Sequence, residues 1–146
     1  MSPDEQVMDS PKGWVARHIQ EYVESDGERG HAWKGVPTLL LTTRGRKTAK
    51  LRRTALIYGR SGEDYVVVAS VGGGPDNPQW YLNLVDEPQV HIQVGGDQMD
   101  AVTRTAQGDE RERLWRQMAE IWPDYEKYRQ KTDREIPVVV ISPTEP

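Results

Sequence analysis

Within residues 44–53 the chain carries Arg44, Arg46, Lys47, Lys50, Arg52 and Arg53 and no acid. Gly45 adds a turn that exposes backbone N–H groups, and Thr48 adds a hydroxyl. Forked guanidinium donors, ammonium donors and free amides together suit a phosphate or a carboxylate. The segment is not a Walker A loop, because Arg46 stands where that pattern requires glycine. Elsewhere only 13 of the 19 basic residues remain against 23 acids, and the net charge is −4. A nucleic-acid binder needs further basic faces, so this local positive charge predicts a discrete anionic small molecule and excludes nucleic acid as a partner.

Three further groups carry chemistry. Val71-Gly72-Gly73-Gly74-Pro75 runs into Asn77-Pro78-Gln79-Trp80-Tyr81. Its glycines let backbone approach a flat ligand, and the helix start behind them offers free N–H donors. Asn77 replaces the third glycine of G-x-G-x-x-G, which argues against a Rossmann dinucleotide site. Trp122, Tyr125 and Tyr128 recur at helical spacing, which serves either core packing or a pocket where a phenol holds or protonates a substrate oxygen. Ser70 lies beside the glycine turn without a G-x-S-x-G elbow, against a serine hydrolase. His18, His31 and His91 lack metal-ligand spacing, so no metal site is expected, and with Cys 0 there are no thiolate ligands, disulfides or cysteine nucleophiles.

A length of 146 residues predicts one domain over 1–146, with the leading 1–12 polar and mobile. Trp14, Val15, His18, Ile19, Tyr22 and Val23 mark an amphipathic helix over 13–24. Strands are predicted at 37–43, 51–58 and 64–70, with 59–63 as a hairpin loop, forming an antiparallel meander. A short helix follows over 79–84 behind Pro78, then a hairpin of 89–94 and 99–105. Asp109 and Glu112 have the spacing of a capping box for a helix that ends before Pro123. A second helical stretch covers 124–131, and 136–142 closes the chain as a strand. Helices and strands do not alternate, which predicts an α+β fold around a mostly antiparallel, barrel-like sheet.

The longest apolar run, Leu39-Leu40-Leu41, falls far short of the ~18–20 residues of a membrane span. The acidic N-terminus is unlike a signal peptide, so a cytoplasmic protein is expected. Arg17, Gln20, Glu21 and Glu24 make the polar face of the first helix too acidic for strong attraction to anionic lipid. Packing on the protein is the preferred role of that helix over a peripheral membrane contact.

Several of these motifs stand together in one order. Gly35-Val36-Pro37 leads into Leu39 to Thr43. Gly45-Arg46-Lys47-Thr48 is followed by Arg52, Ala69-Ser70 precedes Gly72-Gly73, and Asn77 to Asn83 follow. Tyr125, Tyr128 and Thr132-Asp133-Arg134 stand ahead of Ile136-Pro137-Val138. From about Gln20 to Pro143 the chain resembles the deazaflavin (F420)-dependent nitroreductase family of split β-barrel reductases. The resemblance implies that coenzyme F420 lies across the barrel face and gives a hydride to a quinone, an enone or a nitroaromatic. It implies that Arg46, Lys47, Thr48 and Arg52 hold the phosphate and the acidic lactyl-glutamyl tail. Arg53, Thr54, Ala55, Leu56 and Ile57 would then line the ring and its side chain. Val68, Ala69, Ser70 and Val71 would meet the ring, and Gln79, Trp80, Tyr81, Leu82 and Asn83 would complete the wall. Ser70 and Tyr125 take the catalytic positions, with Tyr125 also covering the ring, and Trp122, Tyr125 and Tyr128 shape the acceptor pocket. Val71 replaces a lysine found in some relatives, and Trp122 stands where tyrosine is common, which bears on substrate preference. The rival readings are an FMN-binding split-barrel flavoprotein and a non-enzymatic F420 carrier. Either a monomer or a homodimer fits.

Overall fold

Thr38 to Thr43 are buried at every position, on both faces of the strand. A run of Leu and Thr with no charge can sit only at the centre of a sheet. In the computed structural model, which describes residues 5–10, 13–70 and 76–144, this run is β3 (Val36–Arg44), paired antiparallel with β4 (Leu51–Ile57) on one side and β7 (Gln89–Val94) on the other. The remaining elements are β1 (Val7–Asp9), α1 (Gly13–Glu24), β2 (Ala32–Trp33), β5 (Gly59–Ser61), β6 (Asp64–Val68), α2 (Gln79–Asp86), β8 (Asp97–Thr105), α3 (Gly108–Ile121), α4 (Asp124–Lys131) and β9 (Val138–Pro143). Along the sheet the strands run β1-β4-β3-β7-β8-β9-β6-β5, with β2 on β3, and β1 with β4 is the parallel pair. The α+β, mostly antiparallel architecture is as expected.

The meander is corrected in one respect. β5 pairs with β6, Gly59 opposite Val66, while β4 pairs with β3 and not with β6. The segment 59–63 is thus a strand plus a turn at Gly62, and not a loop throughout. The chain swings from one half of the sheet to the other at Tyr58. Its ring meets Tyr65 edge-on at 5.5 Å, and its hydroxyl hydrogen-bonds His31 at 2.9 Å. Gly59 lets α3 close on this bend, because a Cβ there would stand 2.7 Å from Met118 Sδ and 3.0 Å from Ile121 Cδ1. Beyond the bend β4 and β6 part, and the barrel is split along that line.

Period-two alternation sorts the core. Tyr65, Val67, Val139 and Ile141 face the barrel interior with Leu39, Leu41 and Ile92, while Val66, Val68, Val138 and Val140 meet Leu114, Trp115 and Met118 of α3. Val15, Ile19 and Tyr22 of α1 pack on Leu40, with Ala55 beside them, as the packing role of that helix requires. The expected capping box does not form. α3 begins at Gly108 with Gln107 at its N-cap and no side-chain cap, and Glu110 is taken by Arg104 at 2.5 and 2.9 Å. Within the leader, Val7–Asp9 pair with Leu51–Arg53 as β1. Residues 1–4 and 11–12 lie outside the described residues.

Candidate active site

Where β4 and β6 part, a cleft of about 1050 Å³ opens, lined by residues 52–57 from one side and Val68 and Ser70 from the other. That volume suits a cofactor together with a small substrate.

The basic turn stands at one end. Gly45 N–H donates to the Lys50 carbonyl at 2.7 Å and Ala49 N–H to the Gly45 carbonyl at 2.8 Å, which brings Arg46, Lys47 and Thr48 to the rim. Arg46 Nη1 donates to Asn83 Oδ1 and Nη2 to Gln79 Oε1, both at 2.9 Å. Neutral amide oxygens therefore aim this guanidinium without cancelling its charge. Two neighbours are treated differently. Arg53 forms a two-point ion pair with Asp9 at 2.6 and 3.2 Å, and Arg44 is paired with Glu5, whose carboxyl this contact holds below the ordinary carboxylate range. Lys47, Lys50 and Arg52 have no carboxylate partner among the described residues.

Thr54, Ala55, Leu56 and Ile57 form the half-buried floor, and Trp80 stands on a wall. At the far end Trp122, Tyr125 and Tyr128 line the cleft, so the stripe serves both readings, with the Tyr125 ring 5% exposed in the core and its edge at the cavity. Burial, reinforced by Tyr128, pushes the Tyr125 phenol far above its ordinary value, which keeps its proton on oxygen. The Tyr125 and Ser70 hydroxyls have no hydrogen-bond partner among the described residues.

Three expected residues do not line the cleft. A helix turns 100° per residue, so Gln79, Trp80 and Asn83 face the cavity while Tyr81 and Leu82 fall on other faces of α2. Tyr81 instead shares a 2.9 Å hydrogen bond with Thr105 and packs on the barrel core. Ala69 lies between Val68 and Ser70 on an extended segment and points away, fully buried, its N–H bonded to the Pro137 carbonyl at 2.9 Å. Val71 and the glycines after it lie outside the described residues.

Some cleft residues had no place in the sequence reading. Trp33 on β2 meets Trp122 at 5.3 Å between ring centroids, carried there by a turn with Lys34 at φ 49 and Gly35 at φ 82. The Lys34-Gly35 turn after an aromatic was the available signal. Met8, Asp9 and Ser10 reach the cleft through β1, which had none. Arg134 Nη1 donates to Asn77 Oδ1 at 2.6 Å and fixes the segment that leads from the cleft into α2. Among the described residues no helix is long and apolar enough to cross a membrane, and no cluster of three or more His, Asp or Glu has a metal-holding arrangement.

Apart from Met8, Asp9 and Ser10, the residues lining this cleft, cationic at one end and aromatic at the other, fall in the part of the chain, residues 14–143, that matches the family model of F420H(2)-dependent quinone reductases. The chain belongs to this family. An F420H(2)-dependent quinone reductase of Mycobacterium tuberculosis strain H37Rv is 37% identical over 142 residues, covering 88% of this chain and 95% of the relative. Among solved structures, an F420H2-dependent reductase, FDR-A, is 39% identical with a TM-score of 0.68, covering 73% of this chain and 94% of the other. A chain described as a domain-swapped dimer is 36% identical with a TM-score of 0.71, covering 91% and 100%. The split-barrel expectation thus agrees with the relatives and with the parting of β4 from β6.

Proposed function

We propose that this family member is an F420-dependent oxidoreductase that reduces a quinone in the β4/β6 cleft, working as one split-barrel unit. The observation that carries this reading is the polarity of the cleft. Cations with no carboxylate partner among the described residues occupy one end, a flat half-buried strand forms the floor, and an aromatic bay with the Tyr125 hydroxyl, also without a partner among those residues, occupies the other. That donor set fits a ligand with a flat ring and a polyanionic tail.

Lys47, Thr48 and Arg52 hold the phosphate and tail carboxylates, and Arg46, aimed by Gln79 and Asn83, adds its charge. Thr54, Ala55, Leu56 and Ile57 support the ring from β4, with Val68 and Trp80 closing the sides and excluding water. When bound, the reduced deazaflavin supplies a hydride. Tyr125 keeps its proton and donates a hydrogen bond to the acceptor oxygen, where charge develops. Ser70, two residues beyond the end of β6, is the second donor. Trp122, Tyr128 and Trp33 shape the acceptor bay, and electron-poor enones and nitroaromatics suit the same donors. The protein acts in the cytoplasm with α1 docked on the barrel, and the dimeric description of a relative favours a homodimer over a monomer.

A fluorescence titration with oxidised F420, run beside FMN at two salt concentrations, tests this. Tight deazaflavin binding that weakens with salt is expected, with poor FMN binding. Preference for FMN, or binding of neither, overturns the reading. Tight F420 binding with no quinone turnover makes the protein a carrier.

A further inference from the structure

Among the described residues, two of the six basic residues in 44–53 are neutralised, and both acids come from the short N-terminal arm. Arg53 is held by Asp9 from 44 residues away, and Arg44 by Glu5 from 39 residues away. The arm is in place for this because β1 pairs in parallel with the start of β4, Asp9 opposite Arg53, and Ser10 N–H donates to the Arg53 carbonyl at 3.0 Å. Met8, Asp9 and Ser10 line the same cleft as Lys47, Thr48, Arg52 and Arg53. The arm therefore places a carboxylate beside the cations and removes one of them from service. Both acids precede residue 14, where the family match begins.

We propose that β1 is a charge-setting arm, in which Asp9, with Glu5 behind it, limits how many anionic groups of a ligand the cleft accepts. An anionic group that reaches Arg53 meets a guanidinium already paired with Asp9 and gains little from it. The cleft consequently favours a ligand with fewer anionic groups over one with more. Applied to the deazaflavin, the inference rests on the function proposed above and makes Asp9 a determinant of preference for a short oligoglutamate tail over a long one.

The test compares the wild-type chain with Asp9→Asn, with the double variant Glu5→Gln/Asp9→Asn and with the charge-retaining Asp9→Glu. Each is titrated with F420 of short and long tails and with inorganic tripolyphosphate, and folding is checked by circular dichroism. Freeing one or two cations should tighten the long tail and tripolyphosphate about two- to fivefold at low salt, in line with exposed ion pairs. The short tail should change less, the gain should shrink at high salt, and Asp9→Glu should match the wild type. Equal effects on both tails, or no effect on either tail or on tripolyphosphate, overturn the proposal. Absence of deazaflavin binding by every form, with tripolyphosphate still tightened by Asp9→Asn, breaks the functional reading and leaves the charge-setting arm supported.

Discussion

Tyr125 shows how one side chain belongs to a core and a site together. Its ring contacts Trp115 at 6.3 Å and Tyr128 at 6.1 Å, while its hydroxyl has no partner among the described residues. A desolvated phenol is a poor acid and a persistent hydrogen-bond donor, because burial penalises the phenolate and leaves the neutral form intact. Tyr125→Phe keeps the packing and removes only the donor. Turnover of a quinone at saturating cofactor should fall at least about tenfold, with F420 affinity within about twofold of wild type. Stopped-flow reoxidation beside a fluorescence titration separates the two quantities, and unchanged turnover removes Tyr125 from the chemistry. Trp80 and Tyr81 are neighbours in sequence with different duties, since one faces the cleft and the other holds Thr105.

At the scale of elements, the docking of α1 decides whether the cleft has its wall, since Val15 and His18 line the same cavity as β4. The helix ends in a turn where Gly27, at φ +83, comes so close to the β7–β8 hairpin that a Cβ would stand 2.3 Å from Gly95 Cα. Backbone cannot yield as a flexible side chain does, and the left-handed conformation adds its own strain. Gly27→Ala should destabilise the protein by about 1–3 kcal/mol or more, read as a lower midpoint in urea. An unchanged midpoint would mean that this contact is dispensable.

The whole molecule is tied together through Tyr22, which is fully buried. Its hydroxyl donates to the Thr38 carbonyl at 2.9 Å and accepts from Gly95 N–H at 2.7 Å, joining α1, β3 and the β7–β8 hairpin. Burial pushes this phenol up to about 12 from 10.0. A folded-state value above the unfolded one gives stability that is complete below about pH 10 and is lost as pH rises toward about 12. Thermal unfolding should show that alkaline loss in the wild type. Tyr22→Phe should be less stable at neutral pH for want of two hydrogen bonds, yet flatter above pH 10. An equal alkaline slope in both proteins would assign the loss to other groups.

Local signals were enough for most elements, because periodicity and turn chemistry are properties of short segments. The helix over 13–24, the hairpin after Gln89 and the helix over 124–131 were legible from apolar spacing and glycine alone. So was the acid-free basic turn, whose chemistry is written in ten consecutive residues. The ordered motifs named the family, since they span nearly the whole chain. What segments cannot show is which edges stay unpaired. That depended on the bend at Tyr58 and on Gly59 admitting α3, contacts made by residues far apart in sequence. Tertiary structure decided which face of α2 and of the segment at 68–70 meets the cleft, leaving Tyr81, Leu82 and Ala69 on the other faces, and it brought Trp33 onto Trp122. It also laid Asp9 on Arg53 and Glu5 on Arg44, because charge pairing across such distances exists only after β1 has found β4.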